Sequence, residues 1–194
     1  LLCLVLSLLS MLKDQMDLVG IIIPRSAKLQ TDFGTESLPA FLEETGFRQV
    51  ILNLAINARD AIERNGRIKI RLRKVKKGED IMIGASGKTR KAPSHGAEIS
   101  LSDNGKGIPH DIEEKLFDPF FTTKDSSSGS GFGLYNTKLF IEDHNGEIGF
   151  SSEIGKGSVF YLFLPLAIDD EDDEGLRAKR MRRATREFIS NFFS

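Results

Sequence analysis

Residues 49–64, QVILNLAINARDAIER, constrain the fold most, because they fit an amphipathic helix whose polar face is chemically unusual. At about 100° per residue, one narrow stripe collects polar residues and the opposite side collects aliphatic ones. The stripe holds Asn53, Asn57, Asp60 and Arg64, and the other side holds Ile51, Leu54, Ala55, Ala58 and Ile62. Asparagine and aspartate form helices less readily than the lysine and glutamate of a merely solvated face. The aliphatic side therefore predicts a core contact, and the polar stripe is either a binding site or a solvated face.

Asn57 gives the polar stripe a specific chemical use. Its side-chain oxygen suits a hard cation such as Mg²⁺, which prefers oxygen ligands and usually keeps waters and substrate phosphates as its other ligands. The helix would then face a metal-bound phosphate, provided that a nucleotide site follows later in the chain.

Composition favours one globular α/β domain with appendages, because the 194 residues are 40% hydrophobic and 28% charged. The formal net charge of -1 gives no basic field, so we expect no binding to nucleic acid. The single cysteine, Cys3, excludes an internal disulfide and fits a reducing compartment, which predicts a cytoplasmic location.

The first residues, LLCLVLSLLSM, are apolar over about half of the ~20 residues that span a bilayer. They lack the basic leading segment of a signal peptide. We expect the chain to be a fragment of a longer protein that opens inside a helix. A membrane anchor elsewhere in the parent protein stays open.

Local patterns predict the elements in the first third of the chain. A helix is expected at 4–18, ended by Gly20. Extended segments are expected at 21–23 and 28–33, divided by Pro24, and a turn region follows at 34–39. The central helix is expected from about Phe41 or Phe47 to Glu63, with Asn65 and Gly66 as a left-handed cap.

Strands alternate with loops in the middle of the chain. Residues 67–75, RIKIRLRKV, alternate aliphatic and basic side chains and predict a half-exposed antiparallel strand. Further strands are expected at 81–85 and 98–102. The breaker-rich residues 86–96 between them predict a mobile loop.

The motif DNGKG follows directly on the strand at 98–102. Asp103 places a fixed acceptor at the strand end, and Gly105 and Gly107 let the backbone approach a flat ligand closely. The exocyclic amine of adenine is a suitable donor for that acceptor. The alternative is an ordinary turn, because DNG is common turn chemistry.

Residues 115–124, KLFDPFFTTK, place three phenylalanines around a proline, which predicts a hydrophobic plug. Lys124 follows the plug and could reach a terminal phosphate as a point charge. After a polar run, GSGFGL at 129–134 leads into a helix at 134–144 that ends at Asn145 and Gly146. Glycine-rich backbone before a helix supplies N–H donors and a positive dipole end to a polyphosphate, although a glycine linker would look similar.

The four motifs, in this order, resemble the N, G1, F and G2 boxes of the ATP-binding catalytic domain of bacterial sensor histidine kinases. They are NLAINARDA at 53–61, DNGKG at 103–107, FDPFFTTK at 117–124 and GSGFGL at 129–134. The closing patterns HNGEI at 144–148 and GKGSVF at 155–160 are also similar to that family's last strands. The wider superfamily includes type II topoisomerases, mismatch-repair proteins and a heat-shock chaperone.

This resemblance implies an α/β fold, a two-layer sandwich of a mixed, largely antiparallel sheet with helices on one face. It also implies a lead-in helix and connection at 1–32 and the ATP-binding catalytic domain at 33–167. After this domain the composition changes, which predicts an acidic linker with a basic amphipathic tail at 168–194. The tail suggests either a frayed end or a docking helix for an acidic partner, an anionic membrane or its own acidic run.

The resemblance also implies ATP and Mg²⁺ as cofactors and assigns roles residue by residue. Asn57 resembles the Mg²⁺ ligand, Asp103 resembles the carboxylate that reads adenine, and Asn53 and Lys124 resemble catalytic residues beside the phosphates. A mobile lid is implied from about Thr122 to Ser130. The remaining residues with an implied contact to the cofactor are Asp60, Gly105, Gly107, Ile108, Phe120, Thr122, Thr123, Gly129, Ser130, Gly131, Phe132, Gly133 and Leu134.

Residue 53 distinguishes the branches of this superfamily. The ATP-hydrolysing relatives carry a glutamate one helical turn before the metal-binding asparagine, where it activates water. Asn53 cannot accept a proton as a general base, so hydrolysis is disfavoured. Transfer to an incoming imidazole needs mainly positioning and charge neutralisation, which this residue set could supply.

The chain departs from a complete histidine kinase in its histidines. His95, His110 and His144 lack the acidic helical context of the family's phosphoacceptor, so we expect the acceptor on a dimerisation domain outside this chain. The implied partners are that domain, a response regulator receiver domain and a second copy of the parent protein. Two alternatives remain: a regulatory module that senses ATP without transferring phosphate, and a serine-directed anti-sigma-factor kinase.

Overall fold

The alternating segment at the centre of the chain forms the middle of a sheet. A computed structural model describes residues 4–63, 65–85, 87–124 and 131–167. In it, Arg67–Val75 is a strand that buries Ile68, Ile70 and Leu72 on one face and leaves most of its basic side chains exposed on the other. The predicted half-exposed strand is therefore confirmed with its bounds.

The described residues form nine strands, three α-helices and one 3₁₀ helix, which are joined by turns and loops. In chain order they are β1 (Leu4–Ser7), α1 (Leu8–Ile22), β2 (Lys28–Asp32), β3 (Pro39–Leu42), α2 (Glu44–Ala61), β4 (Arg67–Val75), β5 (Asp80–Met82), β6 (Thr89–Lys91), β7 (Gly96–Asp103), the 3₁₀ helix (His110–Lys115), α3 (Gly133–Asp143), β8 (Glu147–Glu153) and β9 (Gly157–Pro165).

Five strands form the main sheet in the order β2-β4-β7-β9-β8. The pair β2–β4 is parallel and the other three pairs are antiparallel, so the sheet is mixed and largely antiparallel, as predicted. The registers place Ile70 opposite Leu101, Leu101 opposite Phe160, and Phe160 opposite Phe150. This buried row runs across four strands and forms the floor of the core.

The helices cover the face of the sheet that carries this row. Aliphatic side chains of α1, α2 and α3 join the inner face in one buried cluster, including Leu12, Ile51, Leu54 and Ile141. Ile51 and Leu54 come from the aliphatic side predicted for the central helix. The two-layer α/β class is therefore confirmed, and the polar stripe of α2 is left free to face a site.

The outer face of the sheet is partly covered by a small hairpin. Strands β5 and β6 pair antiparallel, and Ile81 packs with Val75, Ala92 and Phe163 in a second buried cluster. The predicted strand at 81–85 and the predicted loop at 86–96 were therefore wrong in extent. Pairing with β5, which Ile81 anchors in this cluster, stabilises β6 within a breaker-rich segment that does not indicate a strand on its own.

The N-terminal segment also differs from the prediction. Residues 4–7 pair as a strand with Pro39–Leu42, and the helix begins at Leu8 with Ser7 as its N-cap. Gly20 lies inside this helix, which continues to Ile22, so the predicted stop and the extended segment at 21–23 were wrong. A single exposed glycine costs a helix only about 1 kcal/mol, which core packing on the other side of α1 offsets.

The connection after the central helix needs one further correction. Asn65 has a left-handed φ of 63°, as predicted, but α2 already ends at Ala61. The left-handed residue therefore shapes the turn into β4 and is not the helix cap. The predicted α3 is confirmed within one residue at each end, and Asn145 follows it with a φ of 56°.

The segment before residue 33 shares the core of the rest. Leu8, Leu12 and Val19 of α1 belong to the main buried cluster, and β2 pairs with β4 along its whole length. The division at residue 33 remains a prediction, and residues 168–194 lie outside the described part. No helix in the described ranges combines the length and hydropathy of a membrane span.

Gln15 provides a test of how α1 packs on α2. Its side chain is buried, its Nε2 donates to the carbonyl oxygen of Arg48 at 2.6 Å, and its Oε1 has no hydrogen-bond partner among the described residues. We expect Gln15→Met to raise the free energy of unfolding by about 1 kcal/mol, because it removes a buried unpaired oxygen at similar volume. Denaturant unfolding measures this change.

Gln15→Ala is the matched control for this prediction. It also removes the amide but leaves a void, so its free energy of unfolding should fall. Equal destabilisation by both variants would show that the hydrogen bond to Arg48 outweighs the unpaired oxygen.

Candidate nucleotide-binding site

A cavity of about 520 Å³ lies between α2, the end of β7, the 3₁₀ helix and the start of α3. This volume is within the range of small-molecule sites, about 300–1,000 Å³. Twelve residues predicted to contact the cofactor line it: Asn53, Asn57, Asp60, Asp103, Gly107, Ile108, Thr122, Thr123, Lys124, Gly131, Gly133 and Leu134. Residues from four separate motifs therefore meet at one place.

Asp103 forms one end of the cavity, at the last position of β7. Its side chain is 9% exposed, and its Oδ1 accepts a hydrogen bond from the N–H of Gly105 at 2.8 Å. Burial raises the pKa of this carboxyl, while hydrogen bonds from Gly105 and Ser158 act in the opposite direction. No described cation forms an ion pair with it, so a ligand that donates a hydrogen bond would find a desolvated acceptor here.

The glycines after Asp103 allow backbone segments to meet. A Cβ at Gly105 would lie 2.3 Å from the carbonyl oxygen of Ala61, and one at Gly107 would lie 2.4 Å from that of Glu153. Gly107 also has a φ of 75°. Gly105 itself does not line the cavity. These close approaches to α2 and to the end of β8 fix the loop beside the ligand space, and the predicted approach of the same backbone to a flat ligand stays a prediction.

The polar stripe of α2 faces the other end of the cavity. Asn53 Nδ2 donates to the carbonyl oxygen of Gly133 at 3.3 Å, and its Oδ1 accepts from Gln49 at 2.9 Å. Asn53 therefore ties the central helix to the first residue of α3. The fourth predicted stripe residue, Arg64, lies outside the described residues.

Lys124 contacts this stripe directly. Its Nζ donates to Asn57 Oδ1 at 3.1 Å and to Asp60 Oδ2 at 2.6 Å. Burial alone would raise the pKa of the Asp60 carboxyl, but hydrogen bonds from Lys124 and Arg59 outweigh it and the pKa lies below its usual value. An ammonium group thus occupies a position where two side-chain oxygens converge.

These oxygens fit a hard cation that is shared with a ligand. The described residues contain no cluster of three or more His, Cys, Asp or Glu side chains that could hold a metal alone. Mg²⁺ is commonly held by one or two protein oxygens together with phosphates and waters. Asn57, whose oxygen already contacts one cation, has the chemistry for that arrangement.

Helix α3 begins at the cavity wall. Its first residue is Gly133, and no side chain among the described residues caps its N-terminus. Gly131, with a φ of 72°, precedes it and also lines the cavity. The helix therefore presents uncapped N–H groups and the positive end of its dipole toward the ligand space.

Two of the predicted phenylalanines lie away from the ligand space. Phe120 and Phe132 do not line the cavity and instead pack edge to face with ring centroids 4.6 Å apart. Phe120 is 72% exposed, so the predicted plug holds for Phe117, which packs on Phe150, and not for Phe120. Gly129 and Ser130 lie outside the described residues, and for them, as for Gly105, Phe120 and Phe132, cofactor contact stays a prediction.

Comparison with known proteins identifies the family. The family described as histidine kinase-, DNA gyrase B-, and HSP90-like ATPase matches residues 42–168, which is more than half of the chain. The chain belongs to this family. It carries the ATP-binding catalytic domain of the histidine kinase type, and neither alternative considered above is favoured.

Several sensor kinases are similar to this ATPase domain. Sensor kinase CckA of Brucella abortus is 35% identical over 181 residues, which are 92% of this chain and 19% of that protein. Sensor histidine kinase ZraS of Escherichia coli is 37% identical over 127 residues, 66% of this chain and 23% of that protein. The chain thus spans about a fifth of the length of these curated relatives.

Solved structures support the same assignment. The nucleotide-free catalytic domain of histidine kinase ThkA superposes with a TM-score of 0.66 at 27% identity, covering 86% of this chain and 97% of that one. A second structure holds ThkA in complex with the response regulator protein TrrA. It gives a TM-score of 0.61 at 25% identity and covers 84% of this chain and 42% of that one.

Sequence reasoning missed about half of the residues that line the cavity of this ATPase domain. The additional lining residues are Ile56, Ala61, Lys106, Pro109, Ile112, Leu116, Phe121, Ile154, Ser158 and Phe160. Some, such as Ile56 and Lys106, adjoin predicted motifs and could have been included. Ile154 and Ser158 are about 50 residues from Asp103 in sequence, and only the pairing of Ser158 with Asp103 across β7 and β9 brings them to the site.

Proposed function

We propose that this chain transfers the γ-phosphoryl group of Mg-ATP to a histidine on a separate dimerisation domain. The observation that carries the proposal is which acidic side chains line the cavity. In the described part of its wall, the only carboxylates are Asp60 and Asp103. Asp60 is paired with Arg59 and Lys124, and Asp103 lies at the end of the cavity away from the polar stripe of α2, so neither is suited to activate water beside the phosphates.

The base of ATP would bind at Asp103. The buried carboxylate has an unshared oxygen lone pair for the exocyclic amine, and Ser158 and Gly105 hold it in place. Apolar lining residues such as Ile108 and Phe160 would contact the ring. An acceptor in a desolvated pocket discriminates strongly against ligands that lack the matching donor.

The phosphates would extend toward α2 and the start of α3. The uncapped N-terminus of α3 would donate backbone hydrogen bonds, and Lys124 would supply a positive charge. Asn57 would hold Mg²⁺, which neutralises phosphate charge when it is bound. Gly131 and Gly133 leave the backbone unobstructed by side chains at this point.

The acceptor chemistry follows from residue 53. An asparagine is neutral, and here both ends of its amide are engaged, with Gly133 and Gln49. A water molecule would therefore lack a base, whereas a neutral imidazole nitrogen needs none to attack phosphorus. In that step a nitrogen–phosphorus bond forms, the bond to the bridging oxygen breaks, and ADP leaves with the electron pair.

The acceptor histidine would come from another domain. The chain's own three histidines are His95, His110 and His144, and none of them lines the cavity as described. The similarity to ThkA, which has been solved with a response regulator, supports a receiver domain as the downstream partner. We infer that the parent protein is a homodimer with its catalytic domain in the cytoplasm.

The test is transfer from radiolabelled ATP to the parent's dimerisation domain, supplied as a separate polypeptide with Mg²⁺. We expect label on the supplied domain, stable to alkali and labile to acid as a phosphohistidine is, and none on this chain alone. A supplied domain whose acceptor histidine is replaced by glutamine is the control. ATP hydrolysis without labelling would contradict the proposal.

A further inference from the structure

Ile154 is a large apolar residue whose exposure has no structural explanation within the described fold. It lies in the turn between β8 and β9, its side chain is 63% exposed, and it lines the cavity. Most other exposed large hydrophobic residues lie on the outside of α1, α3 and β1. An apolar side chain at the mouth of a mainly apolar pocket is positioned to be covered by a ligand.

The turn that carries Ile154 is fixed to the loop after Asp103. The N–H of Gly155 donates to the carbonyl oxygen of Lys106 at 2.9 Å, and the N–H of Ile108 donates to Ser152 Oγ at 2.8 Å. Ser152 Oγ in turn donates to the carbonyl oxygen of Gly157 at 3.0 Å. The position of Ile154 relative to the adenine end of the cavity is therefore set by hydrogen bonds on both sides of the turn.

The same contacts show which part of a nucleotide Ile154 would meet. Ser158, four residues after it, stands opposite Asp103 in the sheet. Asn57, Lys124 and the start of α3, which define the phosphate end, belong to other elements and make no described contact with this turn. Ile154 therefore stands at the base end of the cavity.

We propose that Ile154 packs on one face of the adenine ring and determines affinity for the base. The inference rests on the proposed function, since it takes ATP as the ligand. It adds an apolar contact with the base from a residue outside the four nucleotide-binding motifs. Removing the side chain should lower affinity for any ligand that carries the base and leave binding of the phosphates unchanged.

The experiment compares ATP with inorganic tripolyphosphate, each with Mg²⁺, by calorimetry on wild type and Ile154→Ala. We expect the variant to bind ATP about tenfold more weakly, in line with the loss of most of one aliphatic contact, and to bind tripolyphosphate as wild type does. Ile154→Leu should restore most of the ATP affinity. Lys156→Ala, in the same turn but outside the cavity, should match wild type.

Each result has a separate meaning. Unchanged ATP affinity in Ile154→Ala would overturn this inference and leave the proposed function intact. Equal losses for ATP and tripolyphosphate would show that the residue merely supports the turn, which also overturns it. If wild-type protein bound ATP no more tightly than tripolyphosphate, that result would instead contradict adenine recognition at this cavity and with it the proposed function.

Discussion

Asp103→Asn is expected to weaken ATP binding by one to two orders of magnitude while stabilising the nucleotide-free protein at neutral pH. The asparagine oxygen can still accept from Gly105, but the amide nitrogen then presents a donor to the donor of adenine. A hydrogen bond to a charged group contributes about 1.5–3 kcal/mol, which corresponds to about ten- to hundredfold in affinity.

The gain in stability follows from the raised pKa of Asp103. Because burial makes the ionised carboxylate less favourable in the folded state, the stability contributed by this group is complete below its unfolded pKa of about 3.9 and is lost as pH rises through the folded pKa. Asparagine has no such loss. The melting temperature of the variant should exceed that of wild type at pH 8, and the difference should narrow as pH falls toward 4.

Calorimetry with ATP and thermal melts across this pH range measure both effects on the same preparations. Asp111→Asn, on the exposed surface of the 3₁₀ helix, is the matched control and should change neither. A variant that binds ATP like wild type would remove the adenine-reading role from Asp103. A pH-independent difference in melting temperature would show that ionisation is not the cause.

Asn57→Ala is expected to abolish the dependence of ATP binding on Mg²⁺ and to reduce phosphotransfer by more than a hundredfold. Replacing a residue that merely supports a metal ligand commonly costs about 10- to 100-fold in metal affinity or activity, so loss of the ligand itself should cost at least as much. The fold should survive, because the helix is held by Ile51, Leu54 and Ala58 on its other side and alanine is the better helix former.

The measurement is ATP affinity with Mg²⁺ and with EDTA. In wild type the two values should differ, and in Asn57→Ala they should coincide near the EDTA value. Arg48→Ala on the same helix should retain the difference, because the side chain of Arg48 lies at the surface and pairs there with Glu44. A full metal dependence in Asn57→Ala would require another residue as the ligand.

Much of the site was predictable because its chemistry lies in contiguous patterns. The period of α2 fixed which side of it faces the core, and so it placed Asn53, Asn57 and Asp60 together. The alternation at 67–75 and the strand end at Asp103 were equally local signals. These elements are long or carry unusual residues, and local preference and tertiary packing agree in them.

The remainder depended on contacts between distant residues. Strands β1, β3, β5 and β6 have three or four residues each, too few for a periodic signal, and they form because partners are brought beside them. Ile154 and Ser158 reach the cavity only through the order of the strands. The contacts of Lys124 with Asn57 and Asp60 likewise join residues that are 67 and 64 positions apart, which no local pattern indicates.

The two edges of the main sheet differ in their exposure to other chains. At the β8 edge, Gly84 donates to the carbonyl oxygen of Ile148 at 2.8 Å and accepts from the N–H of Phe150 at 3.1 Å, so the hairpin connection occupies backbone groups there. At the other edge, β4 is the one neighbour that β2 has within the described ranges, and β2 is short and carries Lys28 and Asp32. Charged, short edge strands resist uncontrolled strand addition. The domain is thus protected against aggregation by coverage at one edge and by charge at the other, and only the second protection weakens at high salt.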